Sequence, residues 1–252
     1  MDENEIITPG MVQKAASLSS GEITDAQLAK INKYAMEPLT AEKVFVFKAV
    51  LCDNDIDRAY EQFTEKSLDN LRKLFVGKTV IKDHRRAADS QIARIFDTEL
   101  VRSDTKQVGD QPYTQLVAHC YMVKTASNAD LIEEIKGGIR KEGSVGCSVG
   151  KVVCSICGAD NRKAYCQHWH GKKYDGKTCH FLLDDANDAY EFSLVAVPAQ
   201  KAAGITKSYT GKLMAEPEEI KDQPQETPAD DTTKTMLLRA RLMALRARAK
   251  EE

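Results

Sequence analysis

GSVGCSVGKVVCSICG (residues 143–158) and YEFSLVAVPA (residues 190–199) are the two stretches on which the reading of this chain turns. In the first, a Ser-Val-Gly strand runs into a cysteine/histidine cluster. In the second, an apolar strand carries one acidic residue, Glu191, among Phe192, Leu194, Val195 and Val197. A carboxylate in so apolar a strand is costly to bury unless something hydrogen-bonds it, and a protonatable histidine is a suitable partner.

Working outward, the N-terminal part opens a helix at Thr24-Asp-Ala-Gln27, a capping box followed by Leu28, Ile31 and Ala35 at helical spacing. KVFVFKAVL (43–51) alternates β-branched and aromatic residues and predicts a first strand. Thr64 caps a helix with the stripe Leu68, Leu71, Leu74 and Phe75, stopped by Gly77. Strands are predicted at 79–82, 91–101 and 113–122, with a polar turn at 103–109. A further helix begins at Ser127-Asn-Ala-Asp130 and ends at Gly137-Gly138. Strands predominate from there to Pro198. This predicts an α+β body, a closed or half-closed sheet with a few helices outside.

Composition narrows the class. The 252 residues are 42% hydrophobic, enough for one sizeable core and an appendage. A net charge of −2 gives no overall basic field, so a nucleic-acid-coating protein is not expected. No run of eighteen apolar residues predicts a membrane span. MDENEIITPG at the start is acidic where an export signal is basic and then apolar.

Four of the seven cysteines crowd into residues 154–179, which reads as metal binding in a reducing compartment. Cys154-Ser-Ile-Cys157-Gly158 has the form of a zinc knuckle: two thiolates bite one ion from a tight turn that the glycine allows. Cys166-Gln-His168 can close a tetrahedral three-cysteine, one-histidine site. His170, Cys179 and His180 are alternates for the fourth position. A thiolate-rich set favours zinc, and four protein ligands leave no place for water, so the ion is expected to be structural.

Residues 216–231 hold seven acidic residues, one lysine and three prolines, which predicts a flexible linker. Beyond it, KTMLLRARLMALRARAK (234–250) places Leu238, Leu242, Leu245 and Ala249 on one helical face between arginines. A basic amphipathic helix on a tether is expected to dock on a partner. The expected organisation is an N-terminal helical segment (1–40), a main domain (41–210) with a knuckle insertion (152–182), the acidic linker (211–233) and the basic helix (234–252).

His84 follows a short apolar strand in TVIKDH, beside Asp83, Arg85 and Arg86. Ser144 sits between Gly143 and Gly146, where small neighbours leave room for a substrate carbonyl and free backbone amides for an oxyanion. By pattern alone, a lone histidine or a serine among glycines is more often structural than catalytic. Ser148, in Ser148-Val-Gly150, repeats the setting on the same strand face and is the second candidate nucleophile.

Taken in order, INKYAMEPLTAEKVFVFKAVLCDNDIDRAYEQFT, GKTVIKDH, GIRKEGSVG and EFSLVAVPA resemble the prohead (capsid maturation) proteases of tailed bacteriophages, over roughly residues 30–200. The resemblance implies the fold of the herpesvirus maturation proteases, or assemblins: an antiparallel β-barrel with flanking helices. It implies Ser144 as nucleophile, His84 as general base and Glu191 as the residue that orients the histidine. It further implies scaffold protein, capsid protein and the protease itself as substrates, inside a procapsid in the host cytoplasm. The basic tail helix would then dock on scaffold, and the reading leaves room for a homo-oligomer. The knuckle is an addition to the family's simplest form. Two other classes compete: an inactive zinc-stapled assembly protein, and a nucleic-acid binder using Arg162, Lys163, Lys172, Lys173 and Lys177 around Trp169 and Tyr174.

Overall fold

The computed structural model describes residues 11–16, 18–20 and 23–197. Among these described residues, eleven strands and three α-helices follow one another as β1 (Met11–Ala16), β2 (Leu18–Ser20), α1 (Asp25–Ile31), β3 (Val44–Asp53), β4 (Glu61–Phe63), α2 (Glu65–Leu74), β5 (Thr79–Lys82), β6 (Ala93–Val108), β7 (Gln111–Val123), α3 (Ala129–Lys136), β8 (Gly143–Cys154), β9 (Lys173–Tyr174), β10 (Lys177–Thr178) and β11 (Phe181–Leu194). The expected α+β class, rich in strands, is what the chain adopts. The acidic linker, the basic tail helix and the end of the 190–199 motif lie outside the described residues.

One sheet carries nearly everything, in the order β1-β8-β11-β5-β6-β7-β3-β2, with β4 added alongside β11. It is mixed: β4 and β5 run parallel to β11, and the other ladders are antiparallel. The path ends at β1 and β2, and among the described residues no ladder joins those two ends, so the sheet they form is not a closed barrel. The hairpin between β6 and β7 is longer than its polar sequence predicts. The turn falls at Gly109, with φ +59°, and the polar run 103–106 is an irregularity within the ribbon. Ser103 steadies that run by accepting from the Lys106 amide at 2.9 Å.

The capping chemistry predicted for the helices is present. Thr24 and Gln27 form the reciprocal capping box of α1, and the Thr64 hydroxyl accepts from the Ser67 amide at the start of α2. Leu68 and Leu71 of α2 and Phe75, which caps its C-terminus, are fully buried with Phe47, Leu51, Phe63, Leu183 and Phe192 in one core. A second, smaller cluster on the other side of the sheet joins Ile31, Val44, Val46, Phe96 and Tyr121. Cys52, Cys120 and Cys147 belong to the main core and act there as small apolar side chains.

Strand β11 departs from simple alternation, and this departure positions the site. Its core-facing residues are Leu183, Ala186, Ala189, Phe192 and Leu194, every third residue as far as Phe192 and every second only at the end. Three irregularities produce that period. Asp185 takes a left-handed φ of +59° opposite Gly150, where a Cβ would meet the Asp185 carboxylate at 2.7 Å. Register shifts then follow between Ala186 and Asp188 and between Ala189 and Glu191. Each bulge inserts one unpaired residue and flips the face of everything beyond it.

Helix α2 satisfies the backbone groups these irregularities free. The Ala186 amide donates to Ser67 Oγ at 3.1 Å, and the Ala186 carbonyl accepts from Asn70 Nδ2 at 3.0 Å. Thr64 Oγ1 adds a bond to the Asp184 carboxylate at 2.8 Å.

Candidate functional site

The second bulge decides where Glu191 points. Ala189 pairs with Cys147 on the core face, whereas Glu191, two residues on, pairs with Gly146 on the opposite face. In a regular strand Glu191, two residues from Ala189, would share its face and point into the core; the bulge at Tyr190 turns it to the other side. Glu191 is only 2% exposed, and the room for its carboxylate comes from Gly146, where a Cβ would sit 2.5 Å from Oε1.

His84 reaches this carboxylate from the turn after β5. Asp83 and His84 both have φ +52°, a left-handed conformation that Asp and His tolerate better than most residues. The Asp83 amide donates to the Leu194 carbonyl and the Arg85 amide to the Lys82 carbonyl, so the turn is tied to β11 and to itself. His84 Nδ1 then lies 2.8 Å from Glu191 Oε1, with the imidazole 20% exposed and the carboxylate nearly enclosed. Ser193 Oγ, wholly buried, donates to Glu191 Oε2 at 2.8 Å and accepts from the His84 amide at 3.0 Å.

Ser144 is the direct cross-strand partner of Ser193, as Gly146 is of Glu191. Directly paired residues present their side chains on one face, about 4.5–5.5 Å apart at Cβ. The face that carries Glu191, Ser193 and His84 therefore also carries Ser144, which is 4% exposed. Among the described residues Ser144 and His84 form no hydrogen bond. Ser148 shares the parity of Ser144 but lies opposite Asp188, beyond the bulge, and its hydroxyl is hydrogen-bonded to Asn187. The structure thus gathers His84, Ser144 and Glu191 on one face and holds Ser148 elsewhere.

One expectation for an oxyanion site needs correction. Gly143, Ser144, Val145 and Gly146 each have a partner in β1 and another in β11, so their amides lie within the sheet and are not free. Ser193 is a functional candidate that the sequence reading left without a role, and the space at Gly146 is taken by the Glu191 carboxylate. The signal was a second polar residue two positions from Glu191 in an apolar strand.

At the far end of β8 the knuckle is built as its spacing predicts. The ligand atoms of Cys154, Cys157, Cys166 and His168 all lie within 4.8 Å of one another. Gly158 takes φ +73°, and its amide donates back to the Cys154 carbonyl at 2.9 Å. Cys166 is placed by its amide, which donates to Asn161 Oδ1 at 2.9 Å. His168 Nδ1 is buried without a hydrogen-bond partner, the condition of a nitrogen turned toward an ion. A tetrahedral site with metal–sulfur bonds of about 2.3 Å has sulfur–sulfur edges of about 3.8 Å, which this cluster accommodates.

The alternates separate. The His170 ring packs on Phe181 and Tyr60, and His180 Nδ1 faces the Thr178 carbonyl at 3.4 Å. Cys179 is closer to the centre, with its sulfur 3.8 Å from Cys154 Sγ, though outside the mutually close set of four. Burial pushes the Cys179 thiol up to about 11, with Cys154 adding to the rise. Burial raises Cys154 too, but amides aimed at its sulfur from Cys157 and Ile156 outweigh that and leave it below the ordinary thiol value. A surface groove lined by Asn54, Gln62, Thr64, Lys66, Gln111 and Leu182 shares no residue with either cluster.

No family model, curated protein or solved structure matches the chain. Among the described residues, no helix is long and apolar enough to cross a membrane.

Proposed function

We propose that this chain is a serine endopeptidase of the prohead-protease kind, with Ser144 as nucleophile, His84 as general base and Glu191 as the group that orients the base. The observation that carries this reading is the 2.8 Å contact between His84 Nδ1 and Glu191 Oε1, on the sheet face that Ser144 shares. A buried carboxylate accepting from Nδ1 keeps that nitrogen protonated and leaves Nε2 as the basic atom. His84 Nε2 takes the Ser144 proton as Oγ attacks a scissile carbonyl. It returns that proton to the leaving amine, and water then releases the acyl group by the same route in reverse. The gap between Ser144 and His84 suits an enzyme without substrate, since such hydrogen bonds often tighten only in the Michaelis complex.

The resemblance supplies the biology of this proposal: scaffold, capsid protein and the chain itself as substrates, inside a procapsid in the host cytoplasm. The basic helix of the tail is the scaffold-docking element, and the fold is a relative of the assemblin barrel. The four-ligand cluster holds structural zinc through Cys154, Cys157, Cys166 and His168. A second reading has one observation in its favour. Ser144 is not engaged with His84 among the described residues, which fits a zinc-stapled assembly protein that cleaves nothing.

A fluorophosphonate probe with intact-mass readout separates the two. Wild type and Ser148→Ala gain one adduct, mapped to Ser144, whereas Ser144→Ala and His84→Ala gain none. Co-expressed capsid and scaffold proteins are trimmed only by the labelled forms, with processing in Ser144→Ala reduced by roughly 10³-fold or more. An adduct on Ser148 would refute the nucleophile, and an unlabelled wild type that trims nothing would leave the assembly role.

A further inference from the structure

We propose that Ser193 is a positioning residue for the histidine base, acting as the bridge between the main chain that carries His84 and the carboxylate that orients its ring. This rests on the peptidase reading of the same site. Hydrogen-bond directions around Ser193 are fixed by chemistry. The His84 N–H can only donate, so Ser193 Oγ accepts there, at 3.0 Å. Its single hydroxyl proton then goes to Glu191 Oε2, at 2.8 Å.

These bonds close a ring. His84 is bound to Glu191 directly through Nδ1, and a second time through its own amide and Ser193. One carboxylate oxygen is committed to the serine and the other to the imidazole. The carboxylate cannot rotate without breaking both bonds, so the acceptor that the His84 ring meets is held in place. The arrangement matters because Asp83 and His84 both hold a left-handed conformation, which non-glycine residues adopt only when their surroundings enforce it. Ser193 is wholly buried and in register with Ser144, so the bridge lies beside the nucleophile it serves.

A merely structural serine would satisfy the turn's amide and do no more. The two roles differ in what Ser193→Ala changes beyond stability. We expect kcat on a peptide substrate to fall roughly 10- to 100-fold with little change in KM. The low-field Nδ1 proton signal of His84, diagnostic of its bond to Glu191, should broaden or vanish, and the acidic limb of the pH–rate profile should move. Ser193→Thr, which keeps the hydroxyl, should restore the signal and most of the rate. In a Glu191→Gln background, Ser193→Ala should cost little further, because the path it works through is already cut.

Wild-type kcat, pH profile and His84 signal in a folded Ser193→Ala protein would overturn the proposal, as would equal losses in the Glu191→Gln background. The magnetic-resonance signal needs no turnover. If wild type proves inactive but its His84 signal depends on Ser193, the peptidase reading fails and the bridge stands.

Discussion

At the residue scale, two glycines three positions apart are irreplaceable for different reasons. A Cβ at Gly143 would sit 2.2 Å from the ring of Phe192, a fully buried core side chain. Gly143→Ala should therefore damage folding itself. A Cβ at Gly146 would sit 2.5 Å from Glu191 Oε1, on the other face. The carboxylate would have to move, and His84 would lose its partner. We predict that Gly146→Ala stays folded, with a melting temperature a few degrees lower, while its rate falls about 10- to 100-fold. A steady-state assay beside a thermal melt checks this; full activity would mean that Glu191 does not need its place. The αL pair Asp83-His84 was legible in retrospect as a dipeptide suited to that backbone, but nothing local required it. The tie to Leu194 and Ser193, more than a hundred positions away, enforces it.

At the element scale, β11 explains why so much could be read and where reading failed. From Leu183 to Phe192 its core residues recur at 183, 186, 189 and 192, a spacing that by itself speaks for a helix as much as a strand, and only Leu194 restores the period of two. The strand holds because its bulges rotate the pleat and α2 satisfies the backbone they release. Ser67 is wholly buried and accepts the Ala186 amide. Ser67→Ala would leave that amide unpaired, and we predict a loss of about 1–3 kcal/mol in urea unfolding. Lys73→Ala, at an exposed position of the same helix, should stay within about 0.5 kcal/mol. Equal effects from the two would mean that water replaces the serine. A pattern of apolar positions cannot announce a bulge, because the extra residue is visible only against a partner strand.

At the scale of the whole molecule, the knuckle joins the end of β8 to the start of β11, where Cys154 pairs with Phe181. The two strands that carry Ser144 and Glu191 therefore run paired all the way from the site to the cysteine cluster. We predict one zinc per chain by native mass spectrometry, lost in Cys154→Ala, Cys157→Ala, Cys166→Ala and His168→Ala and retained in Cys179→Ala. Chelation should make residues 155–180 sensitive to added protease before the core is cut, since binding free energy here is folding free energy. Zinc-replete protein without bound metal would remove the cluster's role. Retention in His168→Ala with loss in Cys179→Ala would exchange the fourth ligand.

The amino-acid order alone determined the local features: capped helices at Thr24 and Thr64, strands where β-branched residues alternate, and a knuckle whose ligands lie within a few turns of one another. These depend on neighbours a few residues apart, and short spacing encodes them. Placing Ser144 rather than Ser148 beside Ser193, turning Glu191 away from the core and giving Ser193 two partners required the tertiary structure. Each depends on the register between β8 and β11 and on a bulge that shifts it by one residue. Register is a relation between strands that neither strand's sequence contains.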